Sequence, residues 1–253
     1  MYANIDSVRA TRTVMCISDT LPSTLRESSL ETAILKVGAV YDRIERDQRA
    51  FLEKAATHDS PLVCPLGCGA CCRSFVPDIL PAEASFTAAW LLARSSFLAE
   101  QVAAWPSARM GPAYPRSATL CCPFLGKTGN EERCAIYPAR FLICRLFGMA
   151  GIRDKKGHTA FRPCTHMPVA GFPSPGEERA QLFGISLLDA LGAAPPVMAD
   201  YAVEILSLSP SESGKRESVL EALPSALERV GLALSLAKGS ADLTYSMQDE
   251  REE

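Results

Sequence analysis

The sequence predicts an α+β fold that is mainly helical, with a small cysteine-rich core and a short β-hairpin between flanking helices. Apolar residues recur at helical spacing near both ends of the chain. The middle holds nine of the ten cysteines, together with turn-forming glycines and prolines. We therefore expect a loose arm at 1–22, a helix at 23–57, a cysteine-cluster metal-binding domain at 58–170 and a C-terminal helical region at 171–253.

The N-terminal helix is predicted from an amphipathic stripe that continues to about Ala56. Its apolar positions are Leu30, Ile34, Val37, Tyr41, Ile44, Phe51 and Leu52. The repeat barely reaches three heptads, so packing on the protein's own core is favoured over a coiled-coil seam.

The middle of the chain contains a helix, a hairpin and a second, short helix. Pro81 is expected to open a helix that runs to about Trp105. Segments 120–125 and 134–137 flank turn residues and predict the hairpin. Residues 140–147 could form the short helix.

Three helical segments are predicted towards the C-terminus, at 177–191, 196–208 and 215–238. Pro224 falls inside the last segment and is expected to split or kink it, because proline cannot donate the backbone hydrogen bond. The final residues, 248–253, are charged and are expected to fray.

Composition excludes several classes of partner. The formal net charge of −3 gives no electrostatic reason to expect a nucleic acid or an anionic membrane. No unbroken apolar stretch is long enough for a membrane span, and the first residues lack the pattern of a secretory signal. We therefore expect a cytoplasmic protein without a membrane partner, and a protein partner stays open.

The cysteines are the residues that suggest a function. Four lie within nine residues (Cys64, Cys68, Cys71 and Cys72), and Cys121, Cys122, Cys134, Cys144 and Cys164 follow, whereas Cys16 stands apart. Cytosolic thiols stay reduced, so such a cluster indicates metal or redox chemistry rather than disulfides, unless the protein is exported. Thiolates are soft ligands, and zinc or an iron–sulfur cluster each takes about four of them. Adjacent Cys71 and Cys72 are expected to point apart, and so to serve or bridge two ions.

Other side chains could assist the cysteines. Arg140 and Arg145 are favoured as charge partners of the thiolates, whereas Arg73 and Arg133 could equally be surface residues. The histidines, His58, His158 and His166, could ligate a metal, but a surface role is preferred where enough thiols are present. The Cys64–Cys71 spacing also matches a radical-SAM loop, but no strand–helix alternation supports a barrel.

The cysteine motifs resemble those of the YkgJ-like cysteine-cluster family, which is described as carrying a zinc- or iron-chelating CxxCxxCC domain. The resemblance covers about residues 60–167. Its motifs are Gly-Cys-Gly-Ala-Cys-Cys at 67–72, Cys-Pro-Phe-Leu at 122–125, Cys-x-Ile-Tyr-x-x-Arg at 134–140 and Cys-Arg-x-Phe at 144–147. The family usually has proline where this chain has Phe141.

Position by position, the resemblance implies eight metal ligands: Cys64, Cys68, Cys71, Cys72, Cys122, Cys134, Cys144 and Cys164. Eight thiols would suffice for two four-sulfur sites. Cys121 has no clear counterpart in the family. The implied cofactor is zinc or iron, either as an ion or in an iron–sulfur cluster.

Three functions are left open. The first is a metal-binding protein in which the metal either has a structural role or is bound as part of metal handling. The second is an iron–sulfur redox or protein-modifying enzyme, because a related cysteine pattern occurs in flagellin lysine methylases. The third is a helical interaction scaffold held together by structural zinc.

Overall fold

The computed structural model describes most of the chain. The described residues are 29–57, 62, 64, 68–105, 121–128, 131–161, 164, 166, 193–208 and 215–249. The predicted arm at 1–22 and the predicted helix at 177–191 lie outside them. The chain divides into two compact units, one comprising residues 1–39, 78–116 and 208–253 and the other residues 40–77 and 117–207.

The fold class agrees with the prediction of a mainly helical α+β protein. Helix α1, Ser29–Thr57, confirms the amphipathic stripe; its residues up to 39 belong to the first unit and the rest to the second. Its apolar positions Ile34, Val37, Tyr41 and Ile44 are buried. No helix in the described ranges is both long enough and apolar enough to cross a bilayer.

The first unit is built around helix α2, Pro81–Arg94, which is buried on most of its faces and packs on helix α6, Val219–Asp249. Pro81 starts α2 as predicted, and the Leu80 N–H donates to the Glu83 carboxylate at 2.9 Å. The predicted single helix to Trp105 is wrong. The backbone leaves the helical conformation at Ser95, and a separate helix, α3, occupies Ser96–Ala103.

Two short strands complete the first unit. Strand β1, Asp78–Ile79, pairs antiparallel with the strand Glu217–Ser218 that precedes α6. Of the expected split or kink at Pro224, the split is wrong, because helix α6 continues through this residue. Pro224 is buried there, and the packing of its neighbours maintains the helix despite the lost hydrogen bond.

The second unit contains the hairpin of β2, Leu125–Thr128, and β3, Glu131–Cys134. The hairpin was predicted, but its strands lie nearer the turn than expected, with Leu125 opposite Cys134. Just before β2, the Leu125 N–H donates to the Cys122 carbonyl and closes a turn. After β3, residues 137–139 form a 3₁₀ turn. Proline at 123 and 138 favours these turns over further strand pairing.

The remaining elements of the second unit are α4, β4, β5 and α5. Helix α4, Leu142–Leu146, confirms the predicted short helix. Strand β4, Gly151–Arg153, pairs antiparallel with β5, Thr159–Phe161, and helix α5 occupies Met198–Ser207.

The core of this unit includes an edge-to-face contact between Phe51 and Phe161, whose ring centroids are 5.3 Å apart. This contact attaches the second part of α1 to β5.

Candidate metal centre

Every cysteine in the described residues belongs to the second unit, and none of them is in a disulfide. Cys122 is buried, Cys64 and Cys121 are exposed, and the others are half-buried. The unit therefore presents nine thiols from sequence segments that are up to 100 positions apart. Cys16 lies outside the described residues.

Cys71 and Cys72 lie in a 3₁₀ turn, Ala70–Cys72, in which the Cys72 N–H donates to the Gly69 carbonyl at 2.8 Å. Their Sγ atoms are 3.8 Å apart. The expectation that the two side chains point apart is therefore wrong. Successive side chains alternate in an extended strand, but this tight turn allows both sulfurs to lie on one side.

The Cys71–Cys72 turn is attached to the second cysteine block through Cys122. The Cys122 N–H donates to the Cys72 carbonyl at 2.7 Å. The two thiols are also hydrogen-bonded, which raises the pKa of Cys72 to about 12. The structure thus brings Cys71, Cys72 and Cys122 together, although Cys72 and Cys122 are 50 positions apart.

Gly69 fixes the first cysteine loop against the hairpin. A Cβ atom at Gly69 would lie 2.6 Å from Cβ of Glu132 and 2.7 Å from Cδ1 of Leu125, so only glycine allows this approach. Glu132 also accepts a hydrogen bond from Nε of Arg73 at 2.7 Å. Arg73 is thus an ion-pair partner of Glu132.

Gly148 has an equivalent role for Cys164. Its φ of +74° is left-handed, and a Cβ there would lie 2.5 Å from Cβ of Cys164. The Cys164 N–H also donates to the Gly148 carbonyl at 3.3 Å. The turn after α4 therefore places Cys164 against Gly148, which lies four residues after Cys144 in the sequence.

Electrostatic interactions connect further cysteines. Although Cys64 is exposed as a residue, partial desolvation of its thiol raises its pKa, and Cys68, Cys164 and Cys71 raise it further. Burial also raises the pKa of Cys134. Without a cation these thiols favour the neutral form, and a bound metal ion would stabilise their thiolates.

The thiols do not form a closed ligand shell in this arrangement. Among the described residues, no three Cys, His, Asp or Glu side chains converge on one point in the geometry of a bound ion. The donors still fit zinc or iron chemically, because they are soft sulfur ligands clustered in one unit. Binding would require side-chain rotation or a small closure of the loops.

Two histidines and Cys121 make contacts outside the Cys71–Cys72 pair. His158 is exposed and within 3.3 Å of Asp154, and His166 is exposed and donates its backbone N–H to Sγ of Cys164 at 3.5 Å. His58 lies outside the described residues. The Cys121 thiol is 3.7 Å from the Cys122 carbonyl.

Phe141, which stands where the similar family usually has proline, is buried and packs on Phe124 with 6.5 Å between ring centroids. Helix α4 still begins at the following residue. The substitution therefore supports the hairpin side of the cysteine cluster through an aromatic contact.

Sequence reasoning missed two residues that position the cysteines, Gly148 and Glu45. Gly148 carries a local signal, since it lies four residues after Cys144. Glu45 carries none, because its partner Arg145 is 100 positions away.

Comparison with protein families gave a match over the residues that carry most of the cysteines. Residues 63–165 match the family model "CxxCxxCC: Putative zinc- or iron-chelating domain". Neither the curated proteins nor the solved structures gave a significant match. Over residues 63–165, the chain is therefore similar to the CxxCxxCC family of zinc- or iron-chelating domains.

Proposed function

We propose that this protein binds zinc or iron through cysteine thiolates of its second unit, and that the metal is structural or is being handled. The proposed ligands are Cys64, Cys68, Cys71, Cys72, Cys122, Cys134, Cys144 and Cys164. The matched family supports metal chelation in general. The choice of metal, the ligand set and the role are our proposals.

The observation that carries the proposal is the 3.8 Å separation of the Cys71 and Cys72 sulfurs. Two thiolates on one tetrahedral zinc ion, each about 2.3 Å from it, lie about 3.8 Å from each other. The separation therefore suits two ligands of one ion. Cys122 is hydrogen-bonded to Cys72 and is therefore a candidate for a third ligand.

A bound metal ion would supply positive charge to the thiolates and a cross-link between distant segments. The residues of this chain supply the rest. The 3₁₀ turn presents Cys71 and Cys72, the hairpin supports Cys122 and Cys134, and Gly148 holds Cys164. Such a cross-link stabilises a fold because the unfolded chain lacks the preformed site. A cytosolic location is part of the proposal, since reducing conditions keep thiols available as ligands.

Purification without oxygen, followed by metal analysis and a visible spectrum, tests the proposal. We expect at least about one zinc or iron per chain, lost when Cys72 is replaced in Cys72→Ser. Cys121→Ser is the matched control, because Cys121 is an exposed neighbour outside the ligand set. Metal-free protein whose fold a chelator does not change would overturn the proposal.

The same experiment separates the alternatives. A colourless zinc protein favours a structural or handling role, whereas a brown protein that bleaches on reduction favours an iron–sulfur enzyme. If the protein is an interaction scaffold held together by zinc, removing α6 should abolish binding of the partner protein, while the metal is retained.

A further inference from the structure

The sulfur atoms of Cys71 and Cys72 are in contact without being bonded. Their Sγ atoms are 3.8 Å apart, and both residues are half-buried, so each stays partly open to solvent. A disulfide bond is about 2.0 Å long, and the two sulfurs would therefore have to approach by about 1.8 Å to form one. Rotation about the side-chain bonds and a small adjustment of the 3₁₀ turn would supply this movement.

A disulfide between these two residues would be strained. Neighbouring Cα atoms along the chain are about 3.8 Å apart, whereas cysteines in a disulfide usually have Cα atoms about 4.4–6.8 Å apart. Strain of this kind makes a disulfide easier to reduce. The pair is therefore suited to a disulfide that forms and breaks, rather than to one that holds the fold.

Cys122 is the other thiol beside this pair, and its surroundings differ. Cys122 is buried, with 8% of its surface exposed, and its backbone N–H donates to the Cys72 carbonyl at 2.7 Å. A dissolved oxidant therefore meets Cys71 or Cys72 before it meets Cys122. The partner already in contact with the oxidised sulfur is then the adjacent thiol.

We propose that Cys71 and Cys72 form a reversible disulfide when a peroxide oxidises the metal-free protein. With hydrogen peroxide, the sulfur of one residue takes up an oxygen atom, the O–O bond breaks, and a sulfenic acid and one water form. The neighbouring thiol then attacks the sulfenic sulfur, the S–S bond forms, and its proton leaves with the hydroxide as a second water. Overall, the two thiols lose two electrons and two protons, and the peroxide is reduced to water. A dithiol reductant reverses the bond by thiol–disulfide exchange.

Disulfide formation and metal binding exclude each other at this pair. The metal ligand is the thiolate, and the disulfide consumes both thiols. Oxidation would thus remove two of the proposed ligands at once, and the protein would release its metal. This consequence rests on the proposed metal-binding function, whereas the disulfide itself does not.

Peptide mapping of metal-free, reduced protein treated with hydrogen peroxide tests the disulfide. Trypsin cuts after Lys54 and Arg73, so one peptide carries all four cysteines of the first block. After alkylation of the free thiols, we expect this peptide to contain two cysteines that are not alkylated and to have lost two hydrogen atoms. Fragmentation should place the bond between Cys71 and Cys72, and a dithiol reductant should restore both thiols.

Two variants sharpen the map. Cys64→Ser/Cys68→Ser leaves the adjacent pair as the only thiols of that peptide, which should still lose two hydrogen atoms. Cys121→Ser removes an exposed thiol outside the ligand set and should match the wild type. A bond from this peptide to Cys122, or complete alkylation of the adjacent pair, would overturn the inference. The wild-type map decides the matter even if the double variant does not fold.

Zinc release tests the consequence for the metal. A chromophoric chelator should detect loss of most of the zinc from the loaded protein as the disulfide forms, and reduction should restore binding. Cys121→Ser should release zinc at the wild-type rate. Zinc retained by the disulfide-bonded protein would overturn the mutual exclusion. A wild type that binds neither zinc nor iron would instead overturn the proposed function, and the peptide map would still decide the disulfide.

Discussion

The carboxylate of Glu45 on α1 pairs with the guanidinium of Arg145 on α4, next to the proposed ligand Cys144. Gln48, one turn further along α1, donates its side-chain amide to the Arg145 carbonyl at 3.1 Å. Within the second unit, α1 therefore holds the segment that carries Cys144 through two contacts. One is with the side chain of Arg145 and the other with its backbone carbonyl. This attachment gives the N-terminal helix a direct part in building the cysteine cluster.

Removing the Glu45 charge should destabilise the protein. Glu45→Gln leaves Arg145 buried without its anion, and because Glu45 itself is partly exposed we expect a loss of about 2 kcal/mol in the free energy of unfolding. Urea denaturation measures it, with Glu53→Gln, on the exposed side of α1, as control. Equal stability of the two variants would show that the pair contributes nothing.

A pair of glycine substitutions tests the contact between Gly148 and Cys164. Both Gly148 and Gly157 have a left-handed φ, so alanine is strained at each, by about 1–2 kcal/mol. Only at Gly148 would the new Cβ meet another residue, Cys164, at 2.5 Å. Gly148→Ala should therefore lose more stability than Gly157→Ala and also bind metal more weakly. Equal losses would contradict the contact.

A second pair of glycine substitutions tests the contact between Gly69 and the β2–β3 hairpin. Gly69→Ala forces Glu132 and Leu125 to move, and overpacking of this kind costs about 1–3 kcal/mol. Gly126→Ala adds the same methyl group to β2 and meets only the Arg133 carbonyl at 3.5 Å. We expect Gly69→Ala to lower both the thermal midpoint and metal retention. The docking of the loop on the hairpin would be refuted if Gly126→Ala proved equally harmful.

Asp42 should make stability depend on pH. Its pKa is raised above 3.8, first by burial and then by Glu45, while Arg145 and Arg46 oppose the shift. For a carboxyl with a raised folded pKa, the stabilising contribution is complete below the unfolded pKa and is lost as the pH rises through the folded one.

The unfolding free energy of wild type minus that of Asp42→Asn should therefore fall as the pH rises above 3.8 and then level off. Urea denaturation of metal-free protein at a series of pH values measures this difference. A difference that increases with pH would contradict the assigned direction. Glu53→Gln, which alters an exposed carboxyl of the same helix, is the control.

Local sequence signals predicted the local parts of the fold. The stripe from Leu30 to Leu52 is sufficient to identify α1, because burial of one helix face requires that spacing. Pro81 marks the start of α2 because the fixed φ of proline suits the first helical position, and this preference does not depend on tertiary contacts. The break at Ser95 has a weaker signal, the Ser95-Ser96 pair, which stands between two Ala- and Leu-rich stretches.

The candidate site was predictable in composition but not in arrangement. The motifs name the cysteines, yet the approach of the Cys71 and Cys72 sulfurs depends on a 3₁₀ turn that the residue types alone do not specify. The contact of Cys72 with Cys122 and the pairing of Glu45 with Arg145 join residues that are 50 and 100 positions apart. Only tertiary structure shows that Arg145 is buried against Glu45 and Tyr41 of α1.

The most direct test of the metal centre is the metal content of anaerobically purified Cys71→Ser, Cys72→Ser and Cys121→Ser proteins beside the wild type. We predict that the wild type retains zinc or iron, that Cys121→Ser retains as much, and that Cys71→Ser and Cys72→Ser each lose a large part of it. Full metal retention in both Cys71→Ser and Cys72→Ser would contradict the assignment of this sulfur pair as ligands.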